Sequence, residues 1–324
     1  MMAVRALGLL LGYAADRVWG DPRRWHPVAG FARCALAVEQ RLYRDSRARG
    51  VAQVVLLVAG ATGLACAAER SARNPVARTA LTALVTWAVL GGRSLEREAR
   101  AVQDLLNAGA VDQARARVRH LVGRDTAGLG PDEIARAVVE SVAENSSDAV
   151  VASFVWGAAA GVPGLVAHRA VNTLDAMIGH RDARYRRFGW AAARLDDLLG
   201  LPAARLSGAL AAVAGPDSVG AVRAWHRDAR HHPSPNAGVV EAAYAGALGL
   251  QLGGVNSYGN RREDRARMGR GRTPTVADIP AAVQLARRVG AGAAAAAALW
   301  CLARERGAPN LDALSRSSIP AVVQ

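Results

Sequence analysis

Uncharged stretches alternate with arginine-rich ones along this chain, and the alternation reads as membrane topology. Residues 51–68 (VAQVVLLVAGATGLACAA) carry no charge, and 79–92 (TALTALVTWAVLGG) form a second such run. At about 1.5 Å rise per residue, the first reaches roughly 27 Å, close to the hydrocarbon thickness of a bilayer. Residues 149–167 (AVVASFVWGAAAGVPGLVA) are a third candidate, and 283–303 a fourth, interrupted by Arg287 and Arg288. The segment 2–15 is short but spans if tilted. A cleaved signal peptide is the competing reading of its Arg5 and apolar run, and the later spans make removal unnecessary.

The third run poses a problem. It is followed by Arg169, Arg181, Arg184, Arg186, Arg187 and Arg194. A single crossing would put its two flanks on opposite sides, whereas charge bias places both inside. The expectation is a re-entrant or protein-buried helix pair broken near Pro163. Gly157 and Gly161 form a GxxxG that permits close helix contact. Residues 98–122 read as a soluble helical stretch. Pro131-Asp132-Glu133 has the composition of a helix start. Residues 260–274 (NRREDRARMGRGRTP) read as a solvated charged loop, and the tail after about 304 as loosely held. No β pattern and no internal repeat is visible. The predicted fold is all-α: a polytopic integral membrane protein with about four to five membrane helices, plus re-entrant or buried helices and cytoplasmic helical segments. One membrane-embedded domain covers 1–324. It runs from N-terminal membrane helices (1–92) through a cytoplasmic helical segment (93–140) and a motif-rich core (141–260) to a charged loop and last membrane helix (261–324).

Composition supports this. Apolar residues make up 51% and charged residues 21% of 324, which excludes global disorder. The 41 basic residues against 27 acidic ones give +14, and every basic residue is Arg. A P-loop lysine and a Schiff-base lysine are thereby excluded. Segment 17–49 holds eight Arg and 93–124 seven, while the connector 69–78 holds three. The runs between them form a membrane hairpin with its Arg-rich flanks in the cytoplasm. The charge then attracts anionic lipid, and no nucleic-acid-binding motif accompanies it. Cys34, Cys66 and Cys301 are too far apart in sequence to suggest zinc or a disulfide framework.

Four polar clusters lie beside apolar runs, where unpaired polar groups are costly. The first, Asp16 to Pro27, holds Asp21 and His26 among rigid Gly and Pro turns; its plainer reading is an interfacial loop with Trp anchors. In the second, Glu140, Glu144 and Asp148 are spaced i, i+4, i+8, so on one helix they share a face and repel. Oxygen ligands of this kind suit Mg²⁺, which keeps waters and takes phosphate oxygens; a solvated acidic stripe is the alternative. The third holds Arg169, Asn172 and Asp175 on one helical face, followed by Arg194, Asp196 and Asp197. It resembles a metal-plus-phosphate constellation, against a bland Arg–carboxylate pairing. The fourth runs from His231 through Ser234, Asn236 and Glu241 to Asn256 and Tyr258. Ser234-Pro235 there suits a helix start, an ordinary cap or an anion site.

In this order and spacing, GDPRRWHPV, ENSSDAVVA, RAVNTLDAMIGH, FGWAAARLDD, HPSPNAGVVEA and LGGVNSYGN resemble the adenosylcobinamide-phosphate synthases of cobalamin biosynthesis, the CobD/CbiB family. The resemblance covers roughly residues 5–260. One departure is Ser153, where the family commonly has Pro, which puts a helix break there in doubt. The resemblance implies an integral membrane enzyme of the cell (inner) membrane, its active site facing the cytoplasm. The reaction it implies is an ATP- and Mg²⁺-dependent amide ligation. Adenosylcobyric acid is joined to (R)-1-amino-2-propanol or its O-phosphate. On that reading Glu144, Asp148, Asp196 and Asp197 hold the metal, and Arg169 and Arg194 take phosphate oxygens in the absence of Lys. Asn172 and Asp175 orient substrate, and His26 or Asp21 is the base. Ser234 and Asn236 hold an anionic group, with Glu241, Asn256 and Tyr258 as further binding residues. Membrane lipid, a second copy of the chain and other corrinoid-biosynthesis enzymes are the remaining candidate partners. A non-catalytic membrane scaffold for such enzymes is the alternative. A transporter ranks lower, because 51–68 and 79–92 hold few polar residues.

Overall fold

The computed structural model describes residues 1–21, 26–123, 125–180, 182–258 and 261–306, without the side chains of 256–258 and 261–263. The chain opens with α1 (Met2–Trp19), α2 (Pro27–Leu42), α3 (Arg47–Ser71) and α4 (Pro75–Leu90). Next come α5 (Gly92–Asn107), α6 (Val111–Val118), α7 (Pro131–Asn145) and α8 (Ala152–Ile178). The second half holds α9 (Tyr185–Phe188), α10 (Trp190–Ala214), α11 (Ser218–Asp228) and α12 (Ala237–Leu248). A hairpin, β1 (Leu252–Tyr258) and β2 (Arg261–Met268), precedes α13 (Ile279–Arg306). Among the described residues, four helical stretches are long and apolar enough to cross a membrane: Arg47–Ser71, Pro131–Ile178, Trp190–Ala214 and Val276–Arg306.

Ion pairs mark the two ends of the bundle. The amino terminus meets Glu305 at 2.5 Å, so α1 begins where α13 ends. At the other end Arg17 of α1 and Arg287 of α13 both bond Glu96 of α5. α4 runs parallel to α1 and presses close against it. A Cβ on Gly8 would stand 2.6 Å from Thr82 Cβ, and one on Gly12 2.5 Å from Thr86 Cβ. Such small-residue seams let backbones approach in a bilayer, where packing replaces the hydrophobic drive. The start of α4 is set by Asn74, which accepts Ala77 N–H at 2.7 Å, with Pro75 following. Arg17 and Arg93 of the Arg-rich segments stand at the end marked by Glu96, and Arg78 of the connector 69–78 bonds Met1 at the other.

The expected re-entrant pair is present. A straight helix from Pro131 to Ile178 would be about 70 Å long, but α8 reverses at Gly161, whose φ of 67° breaks the helix. Leu165 folds back on Gly157: a Cβ there would stand 2.9 Å from Leu165 Cδ2 and 2.8 Å from Leu9 Cδ2. The break falls two residues before Pro163. The two glycines thus split their work, Gly157 admitting neighbours and Gly161 making the turn. The turn frees backbone groups that lipid cannot satisfy. Arg5 donates to Ala158 O at 2.9 Å and Glu69 accepts Val162 N–H at 3.2 Å. The helix also continues through Ser153, whose hydroxyl donates to Ala149 O.

The antiparallel hairpin corrects the reading of 260–274 as a loop and of the chain as free of β structure. Alternation is masked by Gly253-Gly254, both at positive φ, and by the charges of RREDRAR. Tertiary contacts hold it: Glu140 accepts Gly253 N–H at 2.8 Å, Arg136 donates to Val255 O at 3.1 Å, and Leu252 and Met268 are fully buried. These two side chains join Val102, Ile134, Val138, Ile279 and Val283 in a core distinct from the one built around Leu9, Leu90 and Phe154. At Pro131, Glu133 closes a capping interaction by accepting Gly130 N–H at 2.8 Å. The expected stretch 98–122 is two helices, parted at 108–110. Residues after 306 lie outside the described part.

Candidate active site

Four separate stretches converge at the arginine-rich end of the bundle. Between α7 and α8 the chain widens into a π-helical turn, Ser146–Val151. Such turns recur at functional sites. It splits the acidic stripe expected on one face. Glu140 turns to the hairpin and Arg136, while Glu144 and Asp148 turn to the acids of α8 and α10. The turn is braced from below, where Ser146 and the fully buried Tyr244 share a hydrogen bond of 2.9 Å.

Because α8 reverses, its last turns come back to the π turn. Asp148 therefore faces the carboxylates of Glu144, Asp196 and Asp175, which repel it, and the Arg169 guanidinium, which attracts it. Asp175 is repelled by Asp197 and Glu144, and Asp196 by Asp175, Asp197 and Glu144. Asn172 donates to Asp196 Oδ1 at 3.4 Å and accepts from Arg169 Nη1 at 3.5 Å. Arg169 is attracted by Asp21 as well as by Asp148. Asp21 lies 3.9 Å from His26 Nε2. The opposite ring nitrogen, His26 Nδ1, accepts Val28 N–H at 3.2 Å as the cap of α2. That bond assigns the proton of neutral His26 to Nε2, so Asp21 keeps the freer lone pairs of the two base candidates. Arg194 stands 3.7 Å from Asp197 and is largely open to solvent.

The fourth cluster reaches the acids through the backbone. Asn236 donates to Asp197 O at 2.7 Å and accepts from Arg205 at 2.9 Å. Ser234 Oγ accepts the N–H groups of Asn236 and Ala237, both at 3.2 Å. Ser234 thus closes the start of α12, and the Asn236 side chain ties that start to α10. Glu241 is buried 3.8 Å from His232, in the same helix start. The side chains of Asn256 and Tyr258 lie outside the described part.

Sequence reasoning missed Glu96 and Arg287, a buried ionic knot beside Asp16, and missed Tyr244 and Trp156. Asp16 accepts Arg93 N–H at 3.2 Å, and Trp156 donates to Leu199 O at 3.0 Å. Glu96 sits on a helix whose Arg/Glu pattern looks like any solvated face, so no local signal marked it.

Among the described residues, no three His, Cys, Asp or Glu side chains are gathered as a ready metal cage. The donor set is nonetheless chemically suited to Mg²⁺: hard oxygens that repel one another. Such a group suits a cation that keeps waters and arrives with phosphate oxygens better than one held in an all-protein site.

A model of the CobD/CbiB protein family matches residues 9–286. The chain belongs to that family. Its relatives include a protein named cobalamin biosynthesis protein CobD in Mycobacterium tuberculosis (strain CDC 1551 / Oshkosh), 51% identical over 299 residues, covering 91% of this chain and 95% of the relative. A protein of the same name in Geobacter metallireducens is 44% identical over 261 residues, 77% of this chain and 82% of the relative. Another in Rhodobacter capsulatus is 39% identical over 298 residues, 90% and 94%. No solved structure matches. The four clusters described above lie within the matched residues.

Proposed function

We propose that this CobD/CbiB chain is a ligase of cobalamin biosynthesis. It would form the amide between a propionate carboxyl of adenosylcobyric acid and (R)-1-amino-2-propanol or its O-phosphate, at the expense of ATP. The observation that carries the reading is the meeting of Asp148, Asp175 and Asp196 with Arg169 and Asn172 beside apolar helices.

A carboxylate resists amines until one oxygen becomes a leaving group. Transfer of phosphoryl or adenylyl from ATP to that oxygen makes it one, giving an acyl phosphate with ADP or an acyl adenylate with pyrophosphate. The amine then attacks the carbonyl carbon, the C–O bond breaks, and phosphate or AMP departs. Mg²⁺ would be shared by Glu144, Asp148, Asp196 and Asp197 with the nucleotide, and would offset charge on the phosphates. Arg169 and Arg194 supply planar donors for phosphate oxygens, the task a lysine often performs. Asn172 holds Arg169 and Asp196 in register. Asp21 takes the proton that the ammonium must lose before attack. The Arg-rich segments 17–49 and 93–124 share the cluster's side of the bundle, which by charge bias is the cytoplasmic side.

The test is a detergent-purified enzyme supplied with adenosylcobyric acid, ATP, Mg²⁺ and the amine. ATP consumption strictly dependent on corrinoid and amine, and abolished by chelation, is the expected result. Unaltered turnover in both Asp148→Ala and Asp197→Ala would end the metal assignment. A chain that binds the corrinoid but never consumes ATP would be a scaffold. Positional isotope exchange in ATP separates the two activated acyl species.

A further inference from the structure

A groove of about 580 Å³ runs between α2, α3, α4 and the returning arm of α8, within the ~300–1,000 Å³ usual for small-molecule sites. Its walls are apolar side chains such as Phe31, Leu64, Leu84 and Val166, and among the described residues its one charged lining residue is Arg169. Three features bear on what fills it. First, Leu64 and Leu84 on its rim are 75% and 56% exposed on helices of the membrane bundle, so the groove opens toward hydrocarbon. Secondly, its α8 wall runs from Val162 to Thr173, about 16 Å at helical rise, which is one leaflet of a hydrocarbon core about 30 Å thick. Thirdly, Arg169 is at the end marked by Trp87, which packs edge-on against Trp19 and donates to Gly20 O at 2.7 Å. Paired tryptophans at a helix end mark the headgroup level. Asp21 and Asp148 lie near the Arg169 guanidinium, yet its Nε is buried with no hydrogen-bond partner among the described residues, and an unmade bond at a buried donor is costly.

We propose that the groove binds one anionic phospholipid of the arginine-rich leaflet, an acyl chain lying between α3 and α4 and the phosphate bonded to Arg169. The corrinoid is too polar for this lining, and a free phosphate would leave the apolar length unfilled. The lipid site stands independently of the ligase reading, because its readout is lipid retention. Arg169 would then be shared between the two sites, Nη1 toward Asn172 and Nε toward the lipid.

The experiment is native mass spectrometry of the full chain, extracted in mild detergent and exchanged against phosphatidylglycerol or phosphatidylcholine. One phosphatidylglycerol per chain should be retained, about fivefold over phosphatidylcholine for a single cationic contact. Arg169→Gln should erase that preference while a lipid is still retained. Ala65→Phe with Leu84→Phe, which fill the groove, should abolish retention. Equal retention of both lipids by the wild type, or full retention by the filled variant, would overturn the proposal. Should the filled variant not fold, phosphatidylglycerol brominated on its acyl chains decides in the wild type. Its quenching at low mole fraction should fall in Trp87→Phe, and quenching identical in the two proteins would equally overturn it. Inorganic phosphate that displaced the lipid's preference without displacing the lipid would support the headgroup contact. Phosphate binding with no lipid retained would refute the lipid as occupant.

Discussion

Two groups of charged side chains lie at the same end of the bundle, and they are built oppositely. Around Glu96, one buried carboxylate is bonded by Arg17 and Arg287, with Arg93 at 4.0 Å. Around Asp148, the carboxylates of Glu144, Asp196 and Asp175 repel it and the Arg169 guanidinium attracts it. The first group is complete in itself and ties α1, α5 and α13 together. The second brings like charges together beside an apolar bundle, an arrangement that a cationic ligand would relieve. A buried carboxylate closed by ion pairs from three helices serves the scaffold; carboxylates gathered in mutual repulsion mark a place where a ligand can contribute.

The largest effect expected from this contrast is on turnover. Asp148→Asn and Asp196→Asn should each lower kcat about 10²–10³-fold, as removal of a well-placed electrostatic group does. Their thermal unfolding midpoints in detergent should be unchanged or raised, since each substitution relieves repulsion. A lowered midpoint would make the acids structural and erase the contrast. Glu96→Gln should behave the other way. Breaking a buried ion pair costs about 3–5 kcal/mol, read as a lower unfolding midpoint, with turnover per folded molecule preserved. Gly161→Ala should cost about 1–3 kcal/mol, because its φ of 67° and ψ of −147° lie in a region essentially reserved for glycine and a Cβ would crowd Glu69 and Arg5. Lower activity should accompany it, because Asp175 and Asp148 meet only if α8 reverses there; activity is read against the unfolding midpoint.

The smallest effect is a pH dependence outside the membrane segments. Partial burial raises the Asp228 carboxyl, but two bonds from Arg227, at 2.6 and 2.7 Å, and Gly269 N–H at 2.9 Å outweigh it. Its value in the fold is therefore below the ordinary 3.8. The stabilisation is fully present above that ordinary value and is lost as pH falls through the folded one. Asp228→Asn should flatten the acid limb of stability against pH and speed amide exchange at Gly269. An unchanged limb would show that the contact contributes nothing.

The apolar runs were legible because a membrane helix is a composition, readable without knowing its neighbours. So was the reversal in 149–167, from arginines on both flanks, although Gly161 rather than Pro163 makes the turn. The acids around Asp148 and Asp196 were legible as candidates from their spacing beside apolar runs, before the family resemblance suggested a reaction for them. The hairpin was not, since glycines and charges hide its period and its anchors, Arg136 and Glu140, are more than a hundred residues away. Nor was the seam of Gly8 and Gly12 against Thr82 and Thr86, which are ordinary small residues until two helices are placed side by side.

Local order along the chain determined which segments prefer lipid and which prefer water, because transfer free energy is a property of each side chain summed over a run. Whether a given carboxylate is answered by an arginine or by other carboxylates was decided by the tertiary structure. Electrostatic energy depends on distance, and the distances between Glu96, Arg17 and Arg287, or between Asp148, Asp175 and Asp196, exist only once the helices have packed.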